Sequence, residues 1–200
     1  MRKLIVAAAL LAAPSLAFAA PWEVDTVHSS INFSIKHMAV STVHGSFDTI
    51  KSGTASWSKP DFSDGQIEVV VDANSVDTHE PKRDGHLKSP DFFDTAKFPT
   101  LSFKSKKVTK GAAGHVNVVG DLTMHGVTKE VTFDVTGPSA EVTAMGATMS
   151  GAEATATINR KDFGLVWNKA LGAGNLAVGN DVKIEIALEL HKKAPLKAEK

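Results

Sequence analysis

The chain of 200 residues contains no cysteine. Exported domains often depend on disulfides when their cores are too small to hold a fold, so this chain must be stabilised by its hydrophobic core, which a domain of this length can bury. Its 22 basic and 22 acidic residues balance, and no stretch gathers basic side chains into a stripe. The electrostatic attraction on which nucleic-acid binding depends is therefore lacking, and we expect no nucleic-acid partner.

Long hydrophobic runs are also lacking, except for one at the N-terminus. Arg2 and Lys3 precede an apolar run over Leu4–Leu16, and the small-x-small cleavage site Ala17–Ala19 follows. The run is shorter than the ~20 apolar residues of a spanning helix, and this order of segments is typical of a secretory signal peptide. We expect residues 1–19 to be removed and the mature protein to be exported, without stable membrane insertion.

The mature chain is expected to form one domain in the periplasm. A signal peptide without cysteines favours a bacterial periplasm over other exported locations. Residues 192–200 carry four lysines and one glutamate and predict a charged, solvated tail. The folded domain should therefore extend over residues 20–191, in keeping with the usual domain length of ~100–200 residues.

Helical periodicity is almost absent from this domain, and apolar and polar residues alternate instead. The clearest example is Asn117–Val135, where two alternating segments flank a turn at His125–Thr128. A period of two is typical of half-buried antiparallel strands. Together with this hairpin, the same period predicts about eight strands, the others being Ser30–Lys36, an extended stretch over Val43–Trp57, Gln66–Asp72, Thr100–Lys104, Ala147–Asn159 and Asp181–Leu190.

Two long segments, Ala73–Pro99 and Arg160–Asn180, interrupt the alternation. In the first, Pro81 suits the opening position of a helix, whereas Gly85 limits the stability of that helix. Long ordered loops are usually functional or capping. We expect the first segment to contain one or two helical turns and to lie over a rim of the sheet.

Small residues raise the question of what fills the inside of the sheet. About eight antiparallel strands must close into a barrel or stack as a sandwich, and an eight-stranded barrel is either filled by side chains or holds one small ligand. Ala152, Ala154 and Ala156 share one face of their strand, and Gly120 lies on the inward face of another. These residues favour an internal space, but bulky residues opposite could fill it. Periodicity alone leaves the hollow barrel and the packed sheet as equal alternatives.

Several motifs resemble those of the YceI-like family of polyisoprenoid-binding proteins. The most specific is the loop Arg83–Ser89 with the sequence RDGHLKS, followed by DFFD at Asp91–Asp94 and FPT at Phe98–Thr100. The resemblance extends from about Trp22 to Leu190. The further matching segments are Trp22–Asp25, His28–Ser29, Phe33–His37, Gly45–Phe47, Gly120–Val127 and Asn159–Gly164.

The resemblance implies an all-β fold, an eight-stranded antiparallel lipocalin-like barrel with short helical segments in its long loops. It implies an elongated apolar tunnel that holds a long-chain isoprenoid or similar amphiphilic lipid, such as a polyprenyl phosphate or a quinone. It further implies a periplasmic carrier or buffer, often a homodimer. No cofactor is expected, and with this resemblance the hollow barrel becomes the expected form.

Two sets of residues are expected to contact the ligand. The wall of the tunnel is assigned to Phe33, Ile35, Phe47, Val69, Phe103, Met124, Phe133, Ala152, Ala154, Ala156 and Ile184. The mouth, where the head group would lie, is assigned to Arg83, His86, Phe92, Phe93, Phe163 and Trp167. The aromatic residues of the mouth could form a lid or anchor the two long loops, and both alternatives stay open.

Arg83, Asp84 and His86 have three interpretations. Asp84 could pair with an arginine and tie the loop to the barrel rim, or Arg83 and His86 could bind a phosphate or quinone oxygen. All three could also act as acids and bases on a lipid head group. Catalysis needs a nucleophile with its base in hydrogen-bond reach, and no G-x-S-x-G elbow accompanies them. We therefore expect a binding protein, with an enzyme or a non-lipid interaction module as the alternatives.

The eight histidines show neither a His-x-His pair nor a His-Glu-x-x-His motif. Zinc sites favour such close ligand spacings and often use cysteine. No metal site is predicted, although one assembled across strands stays open.

Overall fold

The computed structural model describes residues 22–170 and 176–192. Within them, twelve strands form one antiparallel sheet. The strands are β1 Trp22–Val24, β2 Ser30–His37, β3 Ser41–Phe47, β4 Ile50–Ser56, β5 Gln66–Asp72, β6 Val76–Asp77, β7 Thr100–Lys110, β8 His115–Met124, β9 Val127–Thr136, β10 Val142–Ala144, β11 Ala147–Asn159 and β12 Val178–Lys192. The helix α1 (Pro81–Lys88) and two short 3-10 helices, Ala73–Ser75 and Arg160–Phe163, lie in the connections.

The predicted signal peptide, residues 1–19, lies outside the described residues, as do residues 193–200 of the predicted tail. Lys192, the first residue of that tail, is the last residue of β12 and pairs with Trp22. None of the helices in the described ranges is long and apolar enough to span a membrane.

The twelve strands combine into eight long ones. β1 and β2 form one long strand, because both pair with β12. β4 pairs with β1 and β3 pairs with β2, so β3 and β4 form the next. β5 pairs with β4 and β6 pairs with β3, so β5 and β6 form the third. In the same way, β9 and β10 both pair with β11. The long strands follow one another in chain order, with β11 beside β12, and the pairing of β12 with β1 and β2 closes the ring. The predicted eight-stranded antiparallel, lipocalin-like barrel is thus confirmed.

Successive connections of such a barrel alternate between its two ends. One end, which we call the loop end, carries residues 38–40, 78–99, 125–126 and 160–170. The opposite end, which we call the turn end, carries residues 57–65, 111–114 and 145–146. The two segments predicted to interrupt the alternation therefore meet at the same end of the barrel.

The predicted strand bounds agree with the structure for some strands and are too short for others, such as β7, which continues from the predicted end at Lys104 to Lys110. β5 and β11 have the predicted bounds, and β12 extends beyond its prediction at both ends. The stretch predicted over Val43–Trp57 is one long strand with a break at Asp48 and Thr49. The long strands on either side break at the same level, after Val24 and after Asp72. The break is therefore part of a crease, a bend shared by three neighbouring long strands, and is not caused by a single residue.

The connection between β8 and β9 is a two-residue turn. His125 and Gly126 have φ angles of 51° and 72°, and positive φ at both central residues is the requirement of a type I′ hairpin turn. The predicted turn continued to Thr128, but Val127 and Thr128 already pair within the sheet. A Cβ at Gly126 would lie 2.4 Å from Cε1 of Phe98, so the turn packs closely against the segment that precedes β7.

Gly126→Ala is expected to destabilise the barrel more than the same change at Gly114. Both glycines have positive φ, which costs other residues about 1–2 kcal/mol, but a Cβ at Gly114 would meet nothing within 4 Å. Overpacking against Phe98 should add about 1–3 kcal/mol for Gly126→Ala only. Urea unfolding of the two variants measures the difference. Equal losses would show that the Phe98 contact relaxes without cost.

The hydrophobic core consists of two clusters. The first joins β1, β3, β4, β5, β6 and β12 and contains Trp22, Val24, Phe47, Ile50, Ala55, Val69, Val71, Val76 and Leu190. The second lies beneath the loop end and contains Leu122, Met124, Ile158, Phe163 and Leu165. The half-buried residues Phe93 and Leu101 pack against both. The inside of the barrel is therefore not one continuous packed core.

Candidate functional site

A cavity of about 430 Å³ opens inside the barrel, within the range of ~300–1,000 Å³ that small-molecule sites occupy. Its lining includes Trp167 and His86 from the loop end and Trp57 and Phe62 from the turn end, so the cavity extends along the barrel. The inward side chains of β12 agree with this. Val182 and the alternate residues after it up to Leu188 are only half-buried, whereas inward residues of a filled barrel would be close-packed.

Ten of the eleven predicted wall residues line this cavity. The exception is Ala156, which is buried but absent from the lining, while Ile158 further along the same strand takes part. Ala152 and Ala154 border the space, as small inward residues should. The ten lining residues are Phe33, Ile35, Phe47, Val69, Phe103, Met124, Phe133, Ala152, Ala154 and Ile184.

Gly120 does not contribute room to the cavity, and this part of the prediction is wrong. A Cβ at Gly120 would lie 2.6 Å from Cζ of Phe103 and 2.4 Å from the carbonyl oxygen of Lys104. The Phe103 ring therefore lies over the glycine and occupies its place. Gly45 is covered by the ring of Phe33 in the same way, with a distance of 2.5 Å to Cζ. The space that each glycine leaves is thus occupied by an aromatic ring of the neighbouring strand.

The lining also includes residues that the sequence analysis did not select. Inward residues such as Val118, Ile186 and Leu188 follow the same period of two as the predicted ones, so the pattern could have found them. Trp57 and Phe62 lie at the turn end, where their rings meet edge to face at 5.9 Å. No alternation marks a turn residue, and the sequence offered no comparable signal for Phe62.

Three of the predicted mouth residues meet where the two long loops touch. The ring of His86 is 5.0 Å from the ring of Phe92 and 5.0 Å from that of Trp167, and the rings of Phe92 and Trp167 are 5.2 Å apart. All three line the cavity. Phe93 lines it too, but packs against Phe47 of the barrel wall at 5.5 Å. The aromatic group therefore both joins the loops and borders the cavity.

Phe163 lies apart from this group. It is 1% exposed and belongs to the core cluster beneath the loop end, and it is not among the residues that line the cavity. The short 3-10 helix turns it inward, and Gly164 ends that helix with a φ of 79°.

Arg83 and Asp84 both hold Thr78, which follows β6. The Asp84 Oδ1 accepts hydrogen bonds from the Thr78 N–H at 2.9 Å and from its hydroxyl at 2.5 Å. Arg83 donates from Nε to the Thr78 hydroxyl and from Nη2 to its carbonyl, both at 2.7 Å. The predicted pairing of Asp84 with an arginine is wrong, because both side chains leave the first turn of α1 and reach back to the same threonine. The expected attachment of the loop to the rim is nevertheless found.

His86 is also engaged within its own loop. Its Nε2 lies 2.9 Å from Oδ2 of Asp91, and its carbonyl accepts a hydrogen bond from the Ser89 hydroxyl at 2.8 Å. Arg83, Asp84 and His86 thus serve to shape the loop.

The charges that line the cavity have one sign and one location. The basic residues among the lining are Lys36, His37, Arg83, His86 and Arg160, all at or next to the loop end. No aspartate or glutamate of the described ranges lines the cavity. The loop end therefore offers a positive environment to whatever part of a ligand lies there, while the rest of the cavity is apolar.

A second group of titratable residues ties the segment after β1 to β12. Asp25 Oδ2 lies 2.8 Å from Nδ1 of His28 and 3.3 Å from Nε2 of His191, which is 2.8 Å from Oε1 of Glu189. Asp25, Glu189 and His191 are the one set of three metal-ligating side chains brought within 4.8 Å in the described part of the chain. Because Asp25 lies far from Glu189 and His191 in the sequence, no spacing motif reveals the set. The hydrogen bond from His28 lowers the pKa of Asp25 to about 2, and Asp25 raises that of His28.

Asp25→Asn is expected to destabilise the protein in a pH-dependent way. A carboxyl pKa lowered from 3.8 to about 2 stabilises the fold above the ordinary value, and this contribution is lost as the pH falls through the lower one. At pH 5 to 6 the variant should lose about 1–2 kcal/mol. The gap should close between pH 4 and pH 2 in urea unfolding. A gap that stays constant over this range would contradict the pairing with His28.

The chain is similar to known proteins over nearly all of its described length. The sequence profile of the YceI-like domain matches residues 22–190. UPF0312 protein SA2479 of Staphylococcus aureus is 40% identical over 166 residues, which cover 82% of this chain and 94% of that protein. BcnA of Burkholderia cenocepacia has a TM-score of 0.70 at 20% identity, covering 83% of this chain and 98% of that one. A polyisoprenoid binding domain from Saccharophagus degradans has a TM-score of 0.61 at 20% identity, covering 88% and 99%.

Proposed function

Because the chain belongs to the YceI-like family, we propose that it is a carrier that holds a long-chain isoprenoid or similar amphiphilic lipid, of polyprenyl phosphate or quinone type. The observation that carries this proposal is the apolar cavity of about 430 Å³ along the barrel. A chain-like apolar ligand fits a space that is long and lined by hydrophobic side chains. The polyisoprenoid binding of the Saccharophagus degradans domain, which shares the fold, supports the same ligand class.

The driving force for binding is the removal of the lipid tail from water. Each buried CH₂ contributes ~0.8 kcal/mol, so ten of them contribute roughly 8 kcal/mol, which corresponds to a dissociation constant of about 1 μM. Part of this is offset by the lost freedom of the lipid. Sequestration needs no chemical step, and the hydrogen bonds of Arg83, Asp84 and His86 give them structural tasks. We therefore propose binding without catalysis.

We also propose that the protein acts in the periplasm, after removal of residues 1–19, and that it forms a homodimer. The first proposal is supported by the order of charged, apolar and small residues at the N-terminus. The second rests on the family resemblance alone. Cell fractionation with N-terminal sequencing of the mature protein tests the first, and sedimentation equilibrium tests the second.

Solvent extraction of the purified mature protein, followed by mass spectrometry, tests the function. We expect one class of long-chain amphiphile in nearly stoichiometric amount. An extract without amphiphile, combined with no uptake of added polyprenyl phosphate or quinone, would overturn the carrier and favour a non-lipid interaction module. Phosphate release from a polyprenyl pyrophosphate, abolished by Asp84→Ala while the lipid is retained, would instead establish an enzyme.

A further inference from the structure

Arg160 is a buried cation at the loop end of the cavity. It is the first residue of the 3-10 helix that follows β11, and its side chain is only 3% exposed. It lines the cavity next to the apolar residues Ile158, Leu165 and Trp167. Burial lowers the pKa of its guanidinium, which nevertheless stays charged, because arginine is not deprotonated in proteins.

Two nitrogens of this guanidinium are hydrogen-bonded, and the third is buried without a partner among the described residues. Nε donates to the carbonyl of Gly179 at 2.7 Å, and Nη1 donates to the carbonyl of Leu165. Nη2 is buried and has no hydrogen-bond partner among the described residues. No carboxylate of those residues forms an ion pair with Arg160 either, since every ion pair found there involves lysine or histidine. A buried donor without an acceptor costs about 1–3 kcal/mol, and more when it is charged.

The other basic residues of the lining are not in this position. Arg83 is exposed and gives two of its nitrogens to Thr78, His86 pairs with Asp91, and Lys36 donates to the hydroxyl of Thr42 at 3.0 Å. His37 is only half-buried. Arg160 combines deep burial, a fixed orientation and an unused donor. These are the properties of a preorganised site for an oxygen that the protein itself does not supply.

We propose that Nη2 of Arg160 binds an anionic head-group oxygen, phosphate or carboxylate, of the amphiphile in the cavity. This inference rests on the proposed function and names the end of the lipid that the site selects. A negative charge is favoured over a neutral oxygen, because the guanidinium is buried without a counter-ion and no carboxylate lines the cavity. The lipid would then lie with its head at the loop end and its tail towards Trp57 and Phe62 at the turn end.

Ligands that share one tail and differ in the head group test the inference. Farnesyl phosphate, farnesoic acid and farnesol are titrated into delipidated wild-type protein at equal ionic strength. One of the two anions should bind at least roughly tenfold more tightly than farnesol, because it forms one additional charge-assisted hydrogen bond. The anion that binds more tightly identifies the head group. If all three bind equally, Arg160 does not select the head and the inference fails while the carrier stands. If none binds, the proposed function fails.

Arg160→Met and Arg83→Met assign the preference to a residue. Arg160→Met should bring the affinities for the anion and the alcohol to within about twofold of each other, whereas Arg83→Met should keep the wild-type ratio. A ratio measured on one variant does not depend on its folded fraction, which matters because Arg160 also braces Gly179 and Leu165. The reverse pattern, with the ratio lost in Arg83→Met only, would assign the head group to Arg83.

Arginine-selective NMR decides the matter if Arg160→Met does not fold. The chain has three arginines, at positions 2, 83 and 160, so the guanidinium signals of wild-type protein labelled with ¹⁵N-arginine are few. Arg83→Lys identifies the signals of Arg83 by their loss. Farnesyl phosphate should shift the Nη signals of Arg160 and slow their proton exchange. Shifts confined to Arg83 would overturn the inference.

Discussion

Ala154→Trp is expected to abolish lipid binding and to leave the barrel folded. Ala154 lines the cavity on β11, opposite Val135 of β9 and Ile186 of β12 in the register of the sheet. An indole at this position projects into space that is already open, so it meets no packed core, and overpacking costs should be small. The same indole takes up room along the path of the lipid tail.

The expected loss of affinity follows from the tail that no longer fits. Excluding roughly five methylenes costs about 4 kcal/mol, which is about a thousandfold in affinity. The matched control is Thr155→Trp, one residue further along the same strand and exposed on the outer face. It adds the same side chain without entering the cavity, and its affinity should stay within about twofold of wild type. Displacement of a fluorescent fatty acid measures binding, and thermal unfolding measures folding.

Two outcomes would count against the cavity as the binding site. Wild-type affinity in Ala154→Trp would mean that the ligand lies elsewhere, and the exposed outer face tested by Thr155→Trp would be the first alternative. Loss of folding in Ala154→Trp alone would mean that the space near Ala154 is closed in solution. In that case Ala152→Phe, on the same wall but nearer the turn end, repeats the test.

The strands could be predicted from the sequence because alternation reports one-sided burial directly, whereas their closure into a barrel was implied by the family resemblance. Ala152–Asn159 alternates strictly, and the bounds predicted for the whole strand, Ala147–Asn159, are those of β11. The extended stretch over Val43–Trp57 was also predicted as one unit, and it is one long strand of the barrel. Its break at Asp48 and Thr49 could not be predicted, because the crease depends on how three neighbouring strands bend together. Strand periodicity carries no information on such a shared bend.

The wall of the site could be predicted where it continues the strand pattern, and His86, Phe92 and Trp167 of the mouth could be predicted from the two long loops. Inward residues such as Phe33 and Ile184 line the cavity as expected. Gly120 was misjudged, because the ring that covers it comes from Phe103, and packing between strands is invisible in a period of two. Asp84 was misjudged because its partner Thr78 bears no sign of its role in the sequence. The open donor of Arg160 depends on carbonyls of Gly179 and Leu165, whose positions only the folded loops define.

Phe163→Ala is expected to cause the largest loss of stability that one substitution at the loop end can produce. Phe163 is the largest of the side chains less than 2% exposed in the described ranges, and deleting a buried phenylalanine ring costs about 3–5 kcal/mol. Typical domains are stable by about 5–15 kcal/mol. The variant should therefore unfold at a much lower urea concentration. The residues that surround the ring are Leu122, Met124, Ile158 and Leu165.

Trp167→Ala is the matched comparison, because Phe163 and Trp167 were both expected at the mouth of the tunnel. Trp167 is half-buried, lines the cavity and contacts His86 and Phe92 by its ring only. Its removal should cost less stability than that of Phe163, by at least about 1–2 kcal/mol, and should weaken lipid binding by roughly tenfold or more through lost apolar contact. Phe163→Ala should bind the lipid almost normally when its affinity is measured at urea concentrations below its unfolding transition. If Phe163→Ala instead lost lipid binding while keeping its stability, the ring would belong to the mouth, because a core side chain cannot be removed without loosening the loop that it holds.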